Sequence, residues 1–251
     1  MGGKMLPFFF NYIMKIGIIG YGKMGREIEK TALERNHEIE LIIDINNNNE
    51  FISANLKKVD VAIEFTQPDS AYSNILKCFE SNTPVVCGTT GWLSKFEEAR
   101  EYCIKNHKAF FYASNFSIGI NILFTLNRQL SKIMNRFTDY DVEIEEIHHI
   151  QKLDAPSGTA ITIANDIISN MDRKTRWEKE LKKKEGDIPI RSIRKDMVPG
   201  IHTLTYNSPV DKLKIIHEAK SRKGFALGAL LAAEFINGKT GFYGMNDLLR
   251  L

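Results

Sequence analysis

Residues 145–160 read EEIHHIQKLDAPSGTA, and their side chains could do several kinds of chemistry. The adjacent histidines His148 and His149 precede Lys152 and Asp154, and the small cluster Ser157-Gly158-Thr159 follows Pro156. Spacing disfavours a metal site. On a strand the two histidines point to opposite faces, and neither a helical H-x-x-x-H pattern nor clustered cysteines accompany them. An anion site is better supplied, because Lys152 is a compact cation and Gly158-Thr159 fall where a helix should open with free amide donors. A histidine beside such a site, with an ordinary pKa of about 6.5, could give or take a proton near neutral pH. The same residues also fit a plain strand-to-helix turn. In that reading Asp154-Ala155-Pro156 ends the strand, Ser157 or Thr159 caps the helix, and the histidines are satisfied structurally. The chemistry of the segment leaves both open.

A second constellation, GYGKMG, sets Gly20, Gly22 and Gly25 in G-x-G-x-x-G spacing, with Tyr21, Lys23 and Met24 between them. The first glycine permits a tight turn, the second lets the backbone approach a pyrophosphate, and the third seats the helix close to the strand. The spacing alone is weak evidence, since a glycine turn can bind nothing or another nucleotide. Here a β-branched run precedes it, a helical pattern follows, and Asp44 ends the next strand 19 residues beyond Gly25. An acid at that point meets adenosine ribose hydroxyls, so a nicotinamide dinucleotide is expected. Asp44 repels a 2′-phosphate and its neighbour is Ile45, while Lys23 is the one nearby cation. The cofactor is therefore NADH or NADPH, with NADH expected to serve at least as well.

The elements that position these groups follow from periodicity. Strands are expected at KIGII, at 38–45, in VDVAIEFTQP (59–68), in TPVVCGTTG (83–91) and in KAFFYASNFSIGIN (108–121), with helical patterns between them. That alternation argues a doubly wound parallel sheet of Rossmann type. Ligands in such sheets lie outside the carboxyl ends of the strands. Phe65-Thr66, Gly88-Thr89-Thr90 and Ala113-Ser114-Asn115-Phe116 end there, and Phe65 or Phe116 could border a nicotinamide ring. Beyond a helix at about 118–135 the pattern changes, and strands gather at 139–151 and through 186–223. These argue a smaller α+β domain with a mixed or antiparallel sheet. The domains expected are 14–117, completed by the C-terminal helical segment 224–251, and 118–223.

Composition narrows the classes. A net charge of +3 is too small for a nucleic-acid surface, and the lysine run at 178–186 is interleaved with glutamates. Three cysteines, Cys78, Cys87 and Cys103, form no C-x-x-C pair, which fits a reducing, cytoplasmic setting without a disulfide framework. No apolar run approaches the roughly 18 residues of a membrane span. Residues 1–13 lack a signal cleavage site and are read as an extension, with Met14 an alternative start to Met1.

Taken together, these residues resemble the dihydrodipicolinate reductase family, also described as 4-hydroxy-tetrahydrodipicolinate reductase. The specific match is Glu146-x-His148-His149-x-x-Lys152-x-Asp154-Ala155-Pro156-Ser157-Gly158-Thr159-Ala160, supported by the glycine turn, EFT, GTTG, SNFSIGIN and SRKGFALGA. The resemblance spans residues 14–251. It implies NAD(P)H-dependent reduction of a cyclic imine dicarboxylate to tetrahydrodipicolinate in the diaminopimelate and lysine pathway. It further implies a homotetramer built on the second domain, with His148 as acid/base residue and Lys152 as second catalytic group. His149, Gly158 and Thr159 would grip the substrate carboxylates. The segment after Asp44 is shorter than is common in the family, a basic residue is absent at Ile45, and Gln67 stands where some members carry arginine. These departures bear on cofactor preference. Two rivals remain at this stage: another two-domain oxidoreductase, such as a homoserine or aspartate-semialdehyde dehydrogenase, and a dinucleotide sensor without catalysis. The aspartate-semialdehyde enzyme needs a nucleophilic cysteine in its substrate domain, and a sensor has no use for Lys152 beside His148.

Overall fold

Residues 12–179 and 184–251 are described in a computed structural model of the chain. Most of the expected N-terminal extension, and residues 180–183 of the lysine run, lie outside the described residues. The chain first runs through β1 (Lys15–Ile19), α1 (Lys23–Glu34), β2 (Glu38–Ile43), α2 (Ser53–Leu56), β3 (Val61–Glu64), α3 (Pro68–Glu80), β4 (Val85–Cys87), α4 (Phe96–Lys105) and β5 (Ala109–Tyr112). It continues through α5 (Ile118–Met134), β6 (Asp141–His148), α6 (Gly158–Ile168), β7 (Arg176–Glu178), β8 (Asp187–Arg194), β9 (Ile201–Asn207) and β10 (Lys212–Glu218). It ends with α7 (Lys223–Ile236), β11 (Gly241–Tyr243) and α8 (Met245–Leu249). Two compact units result: the residues up to Ile118 with Lys223–Leu251, and Gly119–Arg222.

The first unit is a six-stranded sheet in the order β11-β5-β4-β3-β1-β2, parallel throughout. Its inner strands are short apolar runs buried on both faces, as β3 shows with all four residues buried. On one face Ile16, Ile18, Val61 and Ile63 join the alanine-rich α7; on the other, Ile19, Ala62, Val85 and Phe110 join α3 and α4. The C-terminal segment adds α7 to one face of this sheet and β11 to its edge. Glu234 of α7, buried to 1%, accepts from Arg35 Nε at 2.9 Å and stands 2.9 Å from His37 Nε2.

The second unit is a five-stranded mixed sheet, β10-β9-β6-β8-β7. β9 runs antiparallel to both β10 and β6, while β8 runs parallel to both β6 and β7. In β6, Val142, Ile144, Glu146 and His148 alternate inward. On α6, Ala160, Ile163, Ala164 and Ile167 recur at helical spacing and pack with Val142, Ile144, Ile188 and Leu204. The doubly wound sheet and the second mixed sheet expected from the sequence are both present. The three-residue β7 was not legible in the pattern, and the polar tract after Asp44 contains a 3-10 turn at Asn48–Glu50.

Removing one member of a buried ion pair strands its partners, at a cost of about 3 kcal/mol or more. Glu234→Gln should therefore lower the unfolding free energy by about that amount in a urea titration. A change below about 1 kcal/mol would show that α7 is held by its apolar face alone.

Candidate active site

In the first unit the glycine turn is tight and seats α1 close to β1, as its spacing suggests. Gly20, at φ +96°, donates its N–H to Ile43 O at 2.8 Å, and a β-carbon there would run into the Phe65 carbonyl. A β-carbon on Gly25 would meet the Gly20 carbonyl, whereas one on Gly22 would have no neighbour within 4 Å. Gly22 also caps α1 without a side-chain hydrogen bond, so the first-turn amides beside Tyr21, Lys23 and Met24 are left to face an anion. Asp44 directly follows β2, and its Oδ1 accepts from the Ile45 amide at 2.8 Å. These residues fit a dinucleotide: open backbone for the pyrophosphate, and a carboxylate at the next strand end for a ribose.

The neighbouring strand ends are tied by Glu64, which is wholly buried. Its carboxylate takes the Thr66 hydroxyl, the Thr66 amide at 3.1 Å and the Cys87 thiol at 3.1 Å. Burial, and then the Glu64 charge, push that thiol's pKa well up, so Cys87 is no nucleophile. The Thr66 amide also reaches Thr89 Oγ at 2.8 Å, and Trp92 Nε1 donates to Thr89 O at 2.8 Å. The Phe65 ring lies against Gly88, where a β-carbon would collide with it, and tilts against Phe116 at 5.7 Å. Phe116, at 2% exposure, is a core ring beside α7 with its carbonyl packed against Gly228, whereas Phe65 is half-buried. Ala113 is buried, Thr90 and Ser114 are exposed, and Asn115 Oδ1 accepts from the Ser117 amide at 2.8 Å.

In the second unit β6 delivers Glu146 and His148 to one buried face, with Nδ1 of His148 paired to Glu146 Oε2. Register explains the rest. Glu146 stands opposite Ser192 on β8 and His202 on β9, and His148 stands opposite Arg194. Arg194 Nη2 donates to Glu146 Oε1 at 3.0 Å and to the Asp154 carbonyl at 2.5 Å, while its Nε reaches the Lys152 carbonyl at 3.2 Å. Burial works to raise the Glu146 carboxyl, but His148, Ser192 and Arg194 outweigh it and hold the carboxyl well below the usual range. The loop that follows pairs Lys152 Nζ with Asp154 Oδ1 at 2.8 Å. Ser157 then caps α6: its Oγ accepts from the Ala160 amide at 3.2 Å and lies 3.3 Å from His202 Nε2. Gly158 is exposed at the helix start, Thr159 is half-buried beside it, and His149 is half-buried just past β6. Ligand-type atoms of Glu146, His148 and His202 lie within 4.8 Å of one another. The guanidinium on the same carboxylate opposes a divalent cation there.

Two family descriptions match the chain: dihydrodipicolinate reductase, N-terminus, over residues 14–116, and its C-terminus, over 119–249. The chain belongs to the dihydrodipicolinate reductase family. A 4-hydroxy-tetrahydrodipicolinate reductase of Christiangramia forsetii is 48% identical over 94% of this chain and 98% of its own. One from Thermosipho africanus is 36% identical over the same shares. The dipicolinate-bound dihydrodipicolinate reductase of Paenisporosarcina sp. TG-14 shares the fold at a TM-score of 0.73 and 24% identity, covering 94% of this chain and 99% of that one. The activity is accordingly that of a 4-hydroxy-tetrahydrodipicolinate reductase: NAD(P)H-dependent reduction of a cyclic imine dicarboxylate in the diaminopimelate and lysine pathway. This settles the rivals in favour of the reductase. Among the described residues no helix is long and apolar enough to cross a membrane.

Sequence reasoning placed His148 on a strand and the α6 start at Gly158 correctly. It carried the strand on to Gln151, whereas β6 ends at His148, and it missed Arg194 and His202 as neighbours of His148. Alternation along β6 carried the signal for Glu146; only the sheet order reveals the other two. His202 is pushed down to about 3, by burial first and then by charge on His148, and burial also lowers its cross-strand partner His217. Histidines in the unfolded chain titrate near about 6.5, so below that pH the unfolded chain binds protons the native chain refuses. The stability tied to neutral His202 is therefore complete above about 6.5. It falls as pH drops toward about 3, by at most about 1.4 kcal/mol per pH unit. Urea midpoints should be lower at pH 5 than at pH 7, both above the ordinary carboxylate range. His202→Gln should flatten that decline; an unaltered slope would assign it to other groups.

Proposed function

We propose that the first unit holds the dinucleotide and the second the substrate, with His148 as proton donor and Lys152 as the second catalytic group. His149, Gly158 and Thr159 contact the substrate carboxylates in this reading. The observation that carries it is the convergence of a buried, carboxylate-paired histidine, a loop lysine and an exposed helix start within residues 148–159. A dianionic substrate needs a cation and amide donors, and Lys152 with the α6 amides supplies both. The Lys152–Asp154 pair is partly exposed, so a substrate carboxylate can compete for the ammonium.

When bound, the dihydronicotinamide supplies the hydride. Gly20-Tyr21-Gly22-Lys23-Met24-Gly25 and the α1 amides face the pyrophosphate, and Asp44 takes the ribose hydroxyls. Phe65, Thr66, Gly88, Thr89, Thr90 and the 113–116 turn border the nicotinamide. The substrate carbon left with the displaced electron pair takes a proton from His148. Asp44, followed by an exposed Ile45 in place of a cation, favours NADH or equal use of both cofactors. The family resemblance supports a homotetramer, and β10 exposes Leu213 and Ile216 at the edge of the second sheet. Three buried free cysteines suit a reducing cytoplasm.

The test is NADH oxidation after adding the condensation product of pyruvate and aspartate semialdehyde. Lys152→Ala and His148→Gln should each lower kcat by about a hundredfold or more while NADH still binds. Loss of NADH binding in either variant would place these residues in the wrong site. The ratio of kcat/KM for NADPH over NADH should stay below ten; a larger one would overturn the role given to Asp44.

A further inference from the structure

We propose that Glu146 is the positioning residue of the proton donor: it holds His148 through Nδ1, so that the transferred proton leaves from Nε2. The proposal rests on the reading of His148 as donor and names the nitrogen and the group that selects it. Glu146 precedes His148 by two residues on β6, shares its buried face, and has a wholly buried side chain. Oε2 faces Nδ1 of His148, while Oε1 accepts from Arg194 Nη2 at 3.0 Å and from the Ser157 amide at 3.3 Å. Oε1 anchors the carboxylate, and Oε2 and Nδ1 are left facing each other in the interior as two buried atoms that make no other hydrogen bond among the described residues. The carboxylate is therefore not free to turn away from the imidazole. Its presence at Nδ1 fixes the ring and makes Nδ1 the protonated nitrogen of the neutral tautomer.

The other edge of the ring is arranged differently. A β-carbon on Gly200 would lie 3.0 Å from His148 Nε2, so a larger residue at 200 would crowd that nitrogen. His202 packs edge-on against His148 with centroids 5.1 Å apart, and its own Nε2 is turned to Ser157 Oγ. Burial keeps His202 neutral at the pH of the reaction, so it brings no second charge to the donor. Nδ1 is buried against a carboxylate and Nε2 is the nitrogen left to meet substrate.

Nitrogen-15 correlation spectra of the wild-type chain test this directly. Where the His148 ring is neutral, Nδ1 should carry the proton; a proton on Nε2 would overturn the proposal. Glu146→Gln should reverse or mix the tautomers and lower kcat by about a hundredfold, with KM and the Kd of NADH within about threefold of wild type. A merely structural role would lower the melting temperature and leave tautomer and kcat alone, which would sink the idea. Gly200→Ala gives a second variant that keeps Glu146, expected to lower kcat about tenfold with NADH affinity held; unchanged kcat would count against Nε2. If His148→Gln retains full activity, the donor assignment itself fails. If only Glu146→Gln and Gly200→Ala do, the donor stands and the positioning fails.

Discussion

A carboxylate sealed from water must find its counter-charges inside the fold, and Glu146 sets that demand at the centre of the second unit. Two strands and a helix answer it. β6 returns the chain two residues later as His148, β8 contributes Arg194, and the α6 cap residue Ser157 donates its amide. Removing one partner of such a buried group costs about 3–5 kcal/mol, several times an exposed ion pair. Arg194 extends the constraint, because the same guanidinium binds the carbonyls of Lys152 and Asp154. The loop that carries the lysine is thereby tied to the carboxylate that orients the histidine.

The first unit meets its constraint with backbone. Gly20 and Gly25 lie so close to neighbouring carbonyls that no side chain fits, which brings β1, β3 and the start of α1 together. Glu64 then joins the ends of β3 and β4 with no cation paired to it among the described residues, taking N–H, O–H and S–H donors instead. A buried carboxylate can be satisfied by several dipoles as well as by charge, provided each is held in place. The result is a set of loops whose roots are fixed while Thr90 and Ser114 remain exposed at their tips.

The difference between these two solutions explains what was legible in the sequence. Glycine spacing reports a local backbone requirement, so the close approach at Gly20 and Gly25 could be read from the string. Period-2 alternation likewise placed His148 on a strand, although β6 ends at that residue and His149 lies just past it. Arg194 and His202 lie 48 and 56 residues beyond Glu146, and nothing local distinguishes either from other strand residues. Their meeting depends on β6 lying between β8 and β9, an order that appears only in the folded sheet. Phe116 illustrates the reverse case. Its place at a strand end suggested a cofactor contact for its ring, and the docking of α7 made that ring core.

Two adjacent sets of charges in the second unit therefore differ in how firmly they are held. His148 is fastened by a buried carboxylate that substrate cannot displace, since exposing or unpairing it would cost more than a few hydrogen bonds return. Lys152 is held by Asp154, whose side chain is 56% exposed, and such a pair contributes about 1 kcal/mol or less. In the proposed roles this is the order the chemistry asks for. A proton donor must be in register before the electron pair appears, because misplacement is felt in the rate. A carboxylate clamp must first release one anion in order to accept another, and a weak, solvent-exposed partner allows that exchange. The residues between them, 149–151, are few enough that the fixed group and the exchangeable one stay within a single turn of chain.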